Sequence, residues 1–242
     1  MLLPHMDRLE MVVSVQGNIG AGKTTLLNTL RSKLNRDANV VFVSEPVDEW
    51  RTKRFRDGNM SMLDLFYQDM KKNAFLFQVN AFNTRQAAFI AAMKAFVARK
   101  SETKAVLISE RSMISDKLFC GNLFPDVISE EEWYVYNQFF DTVTSELVKL
   151  EKVMIYLDVD YRTCHARLKK RARGEEVTVS EDYLLSLQEA HDKMLIEFAA
   201  IKGNRVIRVK WEDMEEYGEE MIRTSDLVIE QINPAYVKCD CS

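Results

Sequence analysis

The chain predicts an α/β fold: a five-stranded parallel sheet with helices on both faces. Three observations carry this. Five short apolar runs rich in β-branched residues recur along the sequence, and the segments between them have helical patterning. The 242 residues suffice for one sizeable core and fall short of two independent ones, so a single domain over residues 1–242 is expected. Parallel strands are buried on both faces, which is why they read as continuous apolar runs and why helices alternate with them.

In chain order, the first run is "MVVSV" (Met11 to Val15), followed by "GNIGAGKTT" (Gly17 to Thr25) and the apolar helix "TTLLNTLRSKL". The second, "VVFVS" (Val40 to Ser44), leads into "EPVDEW" (Glu45 to Trp50), where Pro46 has no amide hydrogen to extend a strand. Ser61 to Arg99 reads as a helical insertion of roughly two helices. The third strand, "AVLIS" (Ala105 to Ser109), ends in "SERS" and is followed by a second helical stretch, Ser112 to Leu150. The fourth is "VMIYLDV" (Val153 to Val159), after which comes "RLKKRARGEE" (Arg167 to Glu176). The fifth is "RVIRV" (Arg205 to Val209), and "EEYGEEMIRTSDLVIEQI" (Glu215 to Ile232) reads as an amphipathic helix packing on the sheet. Insertions after the carboxyl ends of strands are where a substrate pocket would be walled.

Composition narrows the partners. The chain is 47% hydrophobic and 29% charged with a formal net charge of −4, which argues against a nucleic-acid or membrane surface and favours small ligands. "MLLPHMDRLE" is too short an apolar run for a signal peptide, and no segment approaches a membrane span. Cys120 and Cys164 sit in apolar or helical contexts, and Cys239 and Cys241 lack partners at zinc-site spacing. A reducing compartment follows, with cytoplasm expected and nucleus or mitochondrion as the alternatives.

"GNIGAGKT" fits Gly, four residues, Gly, Lys, then Ser or Thr, directly between a strand and a helix. In such a loop Gly17, Gly20 and Gly22 let the backbone of Asn18, Ile19 and Ala21 turn its amides inward around phosphates. Lys23 reaches the terminal phosphates, Thr24 offers its hydroxyl to Mg²⁺, and Thr25 continues the helix N-terminus, whose dipole favours anions. The pattern implies a nucleoside triphosphate with Mg²⁺. It leaves a kinase, a GTPase, a motor and a non-catalytic binder open, although neither Asn-Lys-x-Asp nor a post-strand Asp-x-x-Gly, both expected of a GTPase, is present.

The remaining polar residues address where the phosphate goes. Glu45 stands at the carboxyl end of the second strand, where it could accept a hydroxyl proton, and Glu110 and Arg111 stand at the equivalent end of the third. Arg167 and Arg171 have i,i+4 spacing, with Arg173 and Gly174 following, a pattern that by itself fits a solvated helix face equally well and that beside a phosphate loop reads as a lid closing over phosphates. Phosphoryl transfer needs positive charge at the equatorial oxygens.

With "GNIGAGKTT", "EPVDEW", "FYQDMKKNAFLFQ", "ERS", and the lid followed by "EDYLLSLQEAHDKML" in this order, the chain resembles the deoxyribonucleoside kinase family, the group of cytidine, guanosine, adenosine and insect multisubstrate enzymes, over nearly its whole length. The resemblance implies a P-loop kinase fold with an arginine-rich lid that transfers the γ-phosphoryl group of ATP, with Mg²⁺, to the 5′-hydroxyl of a deoxynucleoside. It makes Glu45 the base and Arg111 its neighbour at the transferred group, and it puts Glu110 near Mg²⁺ through water. Tyr67 and Glu176 match the pair on the sugar 3′-hydroxyl, Gln78 the amide reading the base edge, and Phe77 and Trp50 its walls. Arg167, Arg171 and Arg173 match lid positions, Lys169 stands where some members have Arg, and "WEDM" (Trp211 to Met214) falls at the adenine loop. A helix-packed homodimer and feedback by a deoxynucleoside triphosphate occupying both subsites are implied as well. One departure is that "SDKLFCGNL" is a residue shorter than in the members it resembles, so the helix carrying Asp116 and Phe119 is expected to be shifted or wound differently.

Base preference rests on "FQVNAFNTR", where Gln78, Ala81, Phe82 and Arg85 share one helical face. A buried guanidinium needs a partner, and Asp116 is the candidate. A carboxylate held by Arg can accept from the exocyclic amine of cytosine or adenine, so deoxycytidine and purine deoxynucleosides are expected ahead of thymidine. A thymidylate-like monophosphate kinase is the rival, but it would need a further cationic clamp after the second strand, where "EPVDEW" is acidic and only Arg51 follows. A catalytically dead relative used for binding would be expected to lose Lys23, Glu45 or Arg111, and all are present.

Overall fold

The apolar runs form one parallel sheet in the computed structural model, which describes residues 5–34, 37–55, 58–99, 103–176, 178–211 and 225–230. Its strands are β1 (Leu9–Gln16), β2 (Val40–Val43), β5 (Ala105–Glu110), β6 (Glu151–Asp158) and β7 (Arg205–Lys210), in the order β2-β5-β1-β6-β7. A short antiparallel pair, β3 (Arg54–Phe55) with β4 (Met60–Ser61), precedes the helical insertion and was not foreseen from the sequence. Two-residue strands are too short to show periodicity.

Alternation along each strand feeds two cores. Val12 and Leu107 point to one face with Phe66, Phe82 and Tyr136, while Val13, Val15, Ile108 and Ile155 point to the other with Leu26, Leu27 and Leu168. Helices cover both faces because both are apolar. The helices are α1 (Lys23–Lys33), α2 (Val47–Thr52), α3 (Met62–Gln68), α4 (Met70–Ala98), α5 (Met113–Asn122), α6 (Glu130–Thr144), α7 (Leu147–Leu150), α8 (Tyr161–Arg171) and α9 (Glu181–Ala200). The insertion is therefore two helices, with the first started by a capping box in which Ser61 and Asp64 satisfy each other's backbone amides.

Helix α5 is a continuous α-helix, so the shorter segment does not change its winding. Residues 225–230 are helical, with Ser225 and Val228 buried, whereas the rest of the proposed C-terminal helix, residues 212–214 of "WEDM", and Cys239 and Cys241 lie outside the described residues. Cys120 and Cys164 are buried free thiols. No helix among the described residues is long and apolar enough to cross a membrane.

With β5 between β1 and β2, and β6 on the far side of β1, the chain reverses its winding at β1. The crevice at the carboxyl ends of β1, β2 and β5 is thus where the topology opens a site.

Candidate active site

A cavity of about 560 Å³ occupies that crevice. Its floor is the loop after β1. Gly17, Gly20 and Gly22 all have positive φ, and at Gly20 a Cβ would lie 2.8 Å from the Cys164 carbonyl oxygen, so α8 packs directly against the loop. Ile19, Gly20, Gly22, Lys23, Thr24 and Thr25 line the cavity, whereas Gly17, Asn18 and Ala21 stand behind it. Asn18 donates from Nδ2 to the Leu184 carbonyl at 2.8 Å, tying the loop to α9. Lys23 Nζ donates to the Asn18 carbonyl at 2.8 Å, and burial followed by the charge of Arg111 brings its pKa down to about 8. An anion in the loop would reverse that, since it offers the ammonium a partner.

Thr24 Oγ1 donates to both Glu110 oxygens, at 2.9 and 3.1 Å. Burial, then the charge of Glu45, raises the Glu110 carboxyl above its ordinary range. Among the described residues no group of three or more His, Cys, Asp or Glu could hold a metal by itself. A hydroxyl and a carboxylate at the edge of a phosphate loop fit Mg²⁺, which keeps several waters and takes its remaining oxygens from a phosphate substrate.

Glu45 follows β2 and is ion-paired through Oε1 with two guanidiniums: it accepts a hydrogen bond from Arg85 Nη2 at 2.9 Å, and Arg111 Nε lies 3.1 Å away. Burial pushes its carboxyl up, but Arg111, Arg85 and Lys23 outweigh burial and hold it below the usual range. Arg85, 2% exposed, also donates from Nε to both oxygens of Asp116, at 3.0 and 2.9 Å, and from Nη1 to the Glu110 carbonyl at 3.0 Å. Although Asp116 is ion-paired, burial dominates and lifts it to about 6, because the guanidinium that should hold it down is shared with Glu45.

Arg111 has φ 62°, an unfavourable backbone conformation for a residue with a side chain, and its amide donates to the Val15 carbonyl at 3.0 Å. Its guanidinium lies 4.3 Å from the centre of the Phe119 ring, which meets buried His191 edge-on at 6.1 Å. His191 is neutral, lowered to about 3 chiefly by burial and then by Arg111, and pairs through Nδ1 with the Leu187 carbonyl at 2.6 Å.

The far end of the cavity is apolar. Trp50 and Phe77 meet edge-on at 5.4 Å, Phe66 stacks on Phe77 at 4.6 Å, and Trp50 Nε1 donates to Thr84 Oγ1 at 2.8 Å, which fixes that wall. Gln78 and Ala81 line the same end with Arg85 and Asp116. Tyr67, Tyr183 and Glu176 close one side. Burial first, then Tyr183 and Glu176, raise the Tyr67 phenol well above its ordinary value.

Of the basic run, Arg171 reaches Glu176 at 2.6 Å and Arg173 at 3.6 Å, while Arg167 donates to the Ala21 carbonyl at 3.2 Å and the Trp211 carbonyl at 2.8 Å. Arg167 is thereby fastened to the phosphate loop and the end of β7, and Arg171 and Arg173 to a carboxylate. Lys170 lines the cavity and Lys169 does not, because successive helical residues point about 100° apart.

The other residues named for the nucleoside and metal subsites line this one cavity, but Phe82, expected on the same face as Gln78, Ala81 and Arg85, turns away from it and is buried against Tyr136, Phe139 and Phe140. What sequence reading missed is the sharing of Glu45 between Arg85 and Arg111, the Phe119–His191 support beneath Arg111, and the Tyr183 wall. The only sequence signal for these was their presence in polar or helical segments, which names no partner.

The deoxynucleoside kinase family model matches residues 13–235. The chain is 36% identical over 188 residues to a fowlpox virus (strain NVSL) protein named "Probable deoxycytidine kinase", covering 76% of this chain and 72% of that protein. It is 32% identical over 200 residues to the deoxycytidine kinase of Homo sapiens, covering 76% and 75%, and 29% identical over 229 residues to the deoxyguanosine kinase of Dictyostelium discoideum, covering 94% and 70%. With a phosphate loop, a flanked carboxylate and a walled cavity at the switch point of a parallel sheet, and with a family match spanning all of these, the chain belongs to the deoxynucleoside kinase family and is an enzyme of that kind.

Proposed function

We propose that this enzyme transfers the γ-phosphoryl group of ATP to the 5′-hydroxyl of deoxyribonucleosides, with deoxycytidine and purine deoxynucleosides favoured over thymidine, and so returns nucleosides to DNA precursor synthesis. The observation that carries the reading is Glu45, presented to the cavity beside Lys23 and held by Arg85, whose guanidinium also holds Asp116.

In this reading the loop amides and Lys23 hold the triphosphate, and Thr24 with Glu110 would hold Mg²⁺, which neutralises developing phosphate charge when bound. A carboxylate gripped by two guanidiniums is a weak base, so Glu45 aligns the hydroxyl and takes its proton late. This suits a loose transition state that needs little nucleophile activation. Arg111, with strained backbone and an ion pair to Glu45, supplies charge to the transferred group. Tyr67 and Glu176 receive the 3′-hydroxyl, and Gln78 with the Arg85–Asp116 pair receives the base edge.

The family relation supports a homodimer, as does an apolar exposed surface on α4 and α6 that includes Leu76, Tyr134, Val135 and Phe139. Light scattering giving the monomer mass would end that part of the proposal. Feedback by a deoxynucleoside triphosphate spanning both subsites is read by inhibition competitive with ATP and with nucleoside alike.

Labelled ATP incubated with each natural deoxynucleoside and deoxynucleotide tests the reaction itself, and transfer to monophosphates alone overturns it. The lid has its own test. Arg171→Ala should lower kcat about 10- to 100-fold, the worth of one charge-assisted hydrogen bond, with a smaller change in KM for ATP. Arg173 still holds Glu176 in that variant. Unchanged turnover and binding would make the run a solvated helix face.

A further inference from the structure

Beneath the cavity, and lining none of it, lies a buried polar chain that the phosphoryl-transfer reading leaves unused. Glu151 opens β6 and is 3% exposed. The Ser14 hydroxyl donates to its Oε1 at 2.5 Å, and Gln16 Nε2 donates to Ser14 Oγ at 2.9 Å and to Ser112 Oγ at 3.3 Å. Gln16 Oε1 accepts from Ser115 Oγ at 2.6 Å, and that hydroxyl accepts in turn from the Ser112 amide at 3.1 Å.

Two members of this chain stand where the functional loops depart. Gln16 is the last residue of β1, directly before Gly17, and Ser112 directly follows Arg111. All five members are buried to 3% exposure or less. We propose that Glu151 is a positioning residue for phosphoryl transfer, the buried anchor of a hydrogen-bonded chain that orients Gln16 and Ser112 and, through them, the phosphate loop and Arg111.

The preference for the protonated form follows from the surroundings. The groups acting on the carboxyl are Ser14 and Gln16 of β1 and Ser112 at the start of α5, none of them charged. Lys149 is exposed and pairs with Glu146 at 2.7 Å, and Lys152 points to the opposite face by strand alternation. A buried carboxylate with no cation is costly, so burial raises the carboxyl to about 7 despite the bonds from Ser14, Ser112 and Gln16, and the protonated form is favoured below that pH. Because the folded value exceeds the ordinary 4.5, the folded state binds more protons than the unfolded chain between those values. Stability is therefore lost as pH rises from about 4.5 to 7.

The inference rests on the kinase reading, and two variants separate the two. Glu151→Gln keeps an uncharged hydrogen-bonding side chain, whereas Glu151→Leu ends the chain. Glu151→Leu should lose about 10- to 100-fold in kcat with KM for both substrates within about threefold, the pattern of catalytic groups set slightly out of place. Glu151→Gln should restore kcat to within about threefold of the parent and should gain melting temperature relative to it by about 2–4 °C per pH unit between pH 5 and 7. Glu151→Leu turning over within twofold or so of the parent, or Glu151→Gln losing kcat as heavily as Leu, overturns the positioning role. If Glu151→Leu does not fold, the Gln variant decides, and a melting difference that does not change with pH overturns the proposal. A parent that phosphorylates no deoxynucleoside fails the kinase reading instead, and the pH-dependent melting difference shows separately whether the carboxyl is buried uncharged.

Discussion

Turnover of the Glu45→Gln variant is expected to fall by about 10² to 10⁴, with deoxynucleoside affinity changed far less. Glutamine matches the shape of glutamate, and its amide oxygen can still accept from Arg85, the hydrogen-bond donor to Glu45 Oε1. What is lost is the acceptor for the hydroxyl proton and one negative charge. Glu45 raises the pKa of Lys23, Glu110 and Asp116, so its neutralisation should lower all three. A loss caused only by Lys23 becoming neutral would recover at lower pH, because Lys23 recharges as pH falls. A loss of the proton acceptor would not. Steady-state rates at pH 6.5 and 8 separate these, and turnover within about twofold of the parent at both would remove Glu45 from the chemistry.

The second large effect concerns Arg85. Arg85→Met deletes the guanidinium that serves both Asp116 and Glu45, and removing one partner of a buried ion pair commonly costs about 3–5 kcal/mol. For a chain of this size each kcal/mol lowers the melting temperature by about 2–4 °C. Asp116→Ala alone should cost less, since Arg85 keeps Glu45 and the Glu110 carbonyl. The double variant should be more stable than the sum of the singles predicts, by about 0.5–3 kcal/mol, because no carboxylate remains at position 116 to be stranded.

Specificity should shift with it. Without the charged pair, thymine's carbonyl and methyl face an apolar wall, and activity on thymidine relative to deoxycytidine should rise. Absolute turnover should nevertheless drop, because Glu45 has lost one of its two guanidiniums. Strictly additive melting temperatures, or an unchanged ratio between the two substrates, would detach Arg85 and Asp116 from base selection.

Much of the fold was legible because its signals are local. A buried parallel strand must be an apolar run wherever it sits in the chain, and each of the five runs became a strand within about two residues of its expected bounds. "GNIGAGKTT" was legible for the same reason, since its positive-φ glycines and Lys23, which bonds back to the Asn18 carbonyl, make their loop within a few residues of chain. The β3–β4 pair was not, because two residues carry no period. The basic run was legible as charge but not as geometry. Its helical spacing is the same whether Arg167 meets phosphate or, as found, the Ala21 and Trp211 carbonyls.

By itself the sequence determined the strand-and-helix order, the phosphate loop and the residue types that converge on it, all of which depend on neighbours a few positions away. Only the tertiary structure decided how those residues share charge. Arg85 meets Asp116 and Glu45 across separations of 31 and 40 residues, and they come together because β5 is inserted between β1 and β2. The protonation of Glu151 was decided the same way. Its sequence shows an ordinary acid between two lysines, and only burial against Ser14, Gln16 and Ser112, with no cation among the groups acting on it, pushes the carboxyl up to about 7.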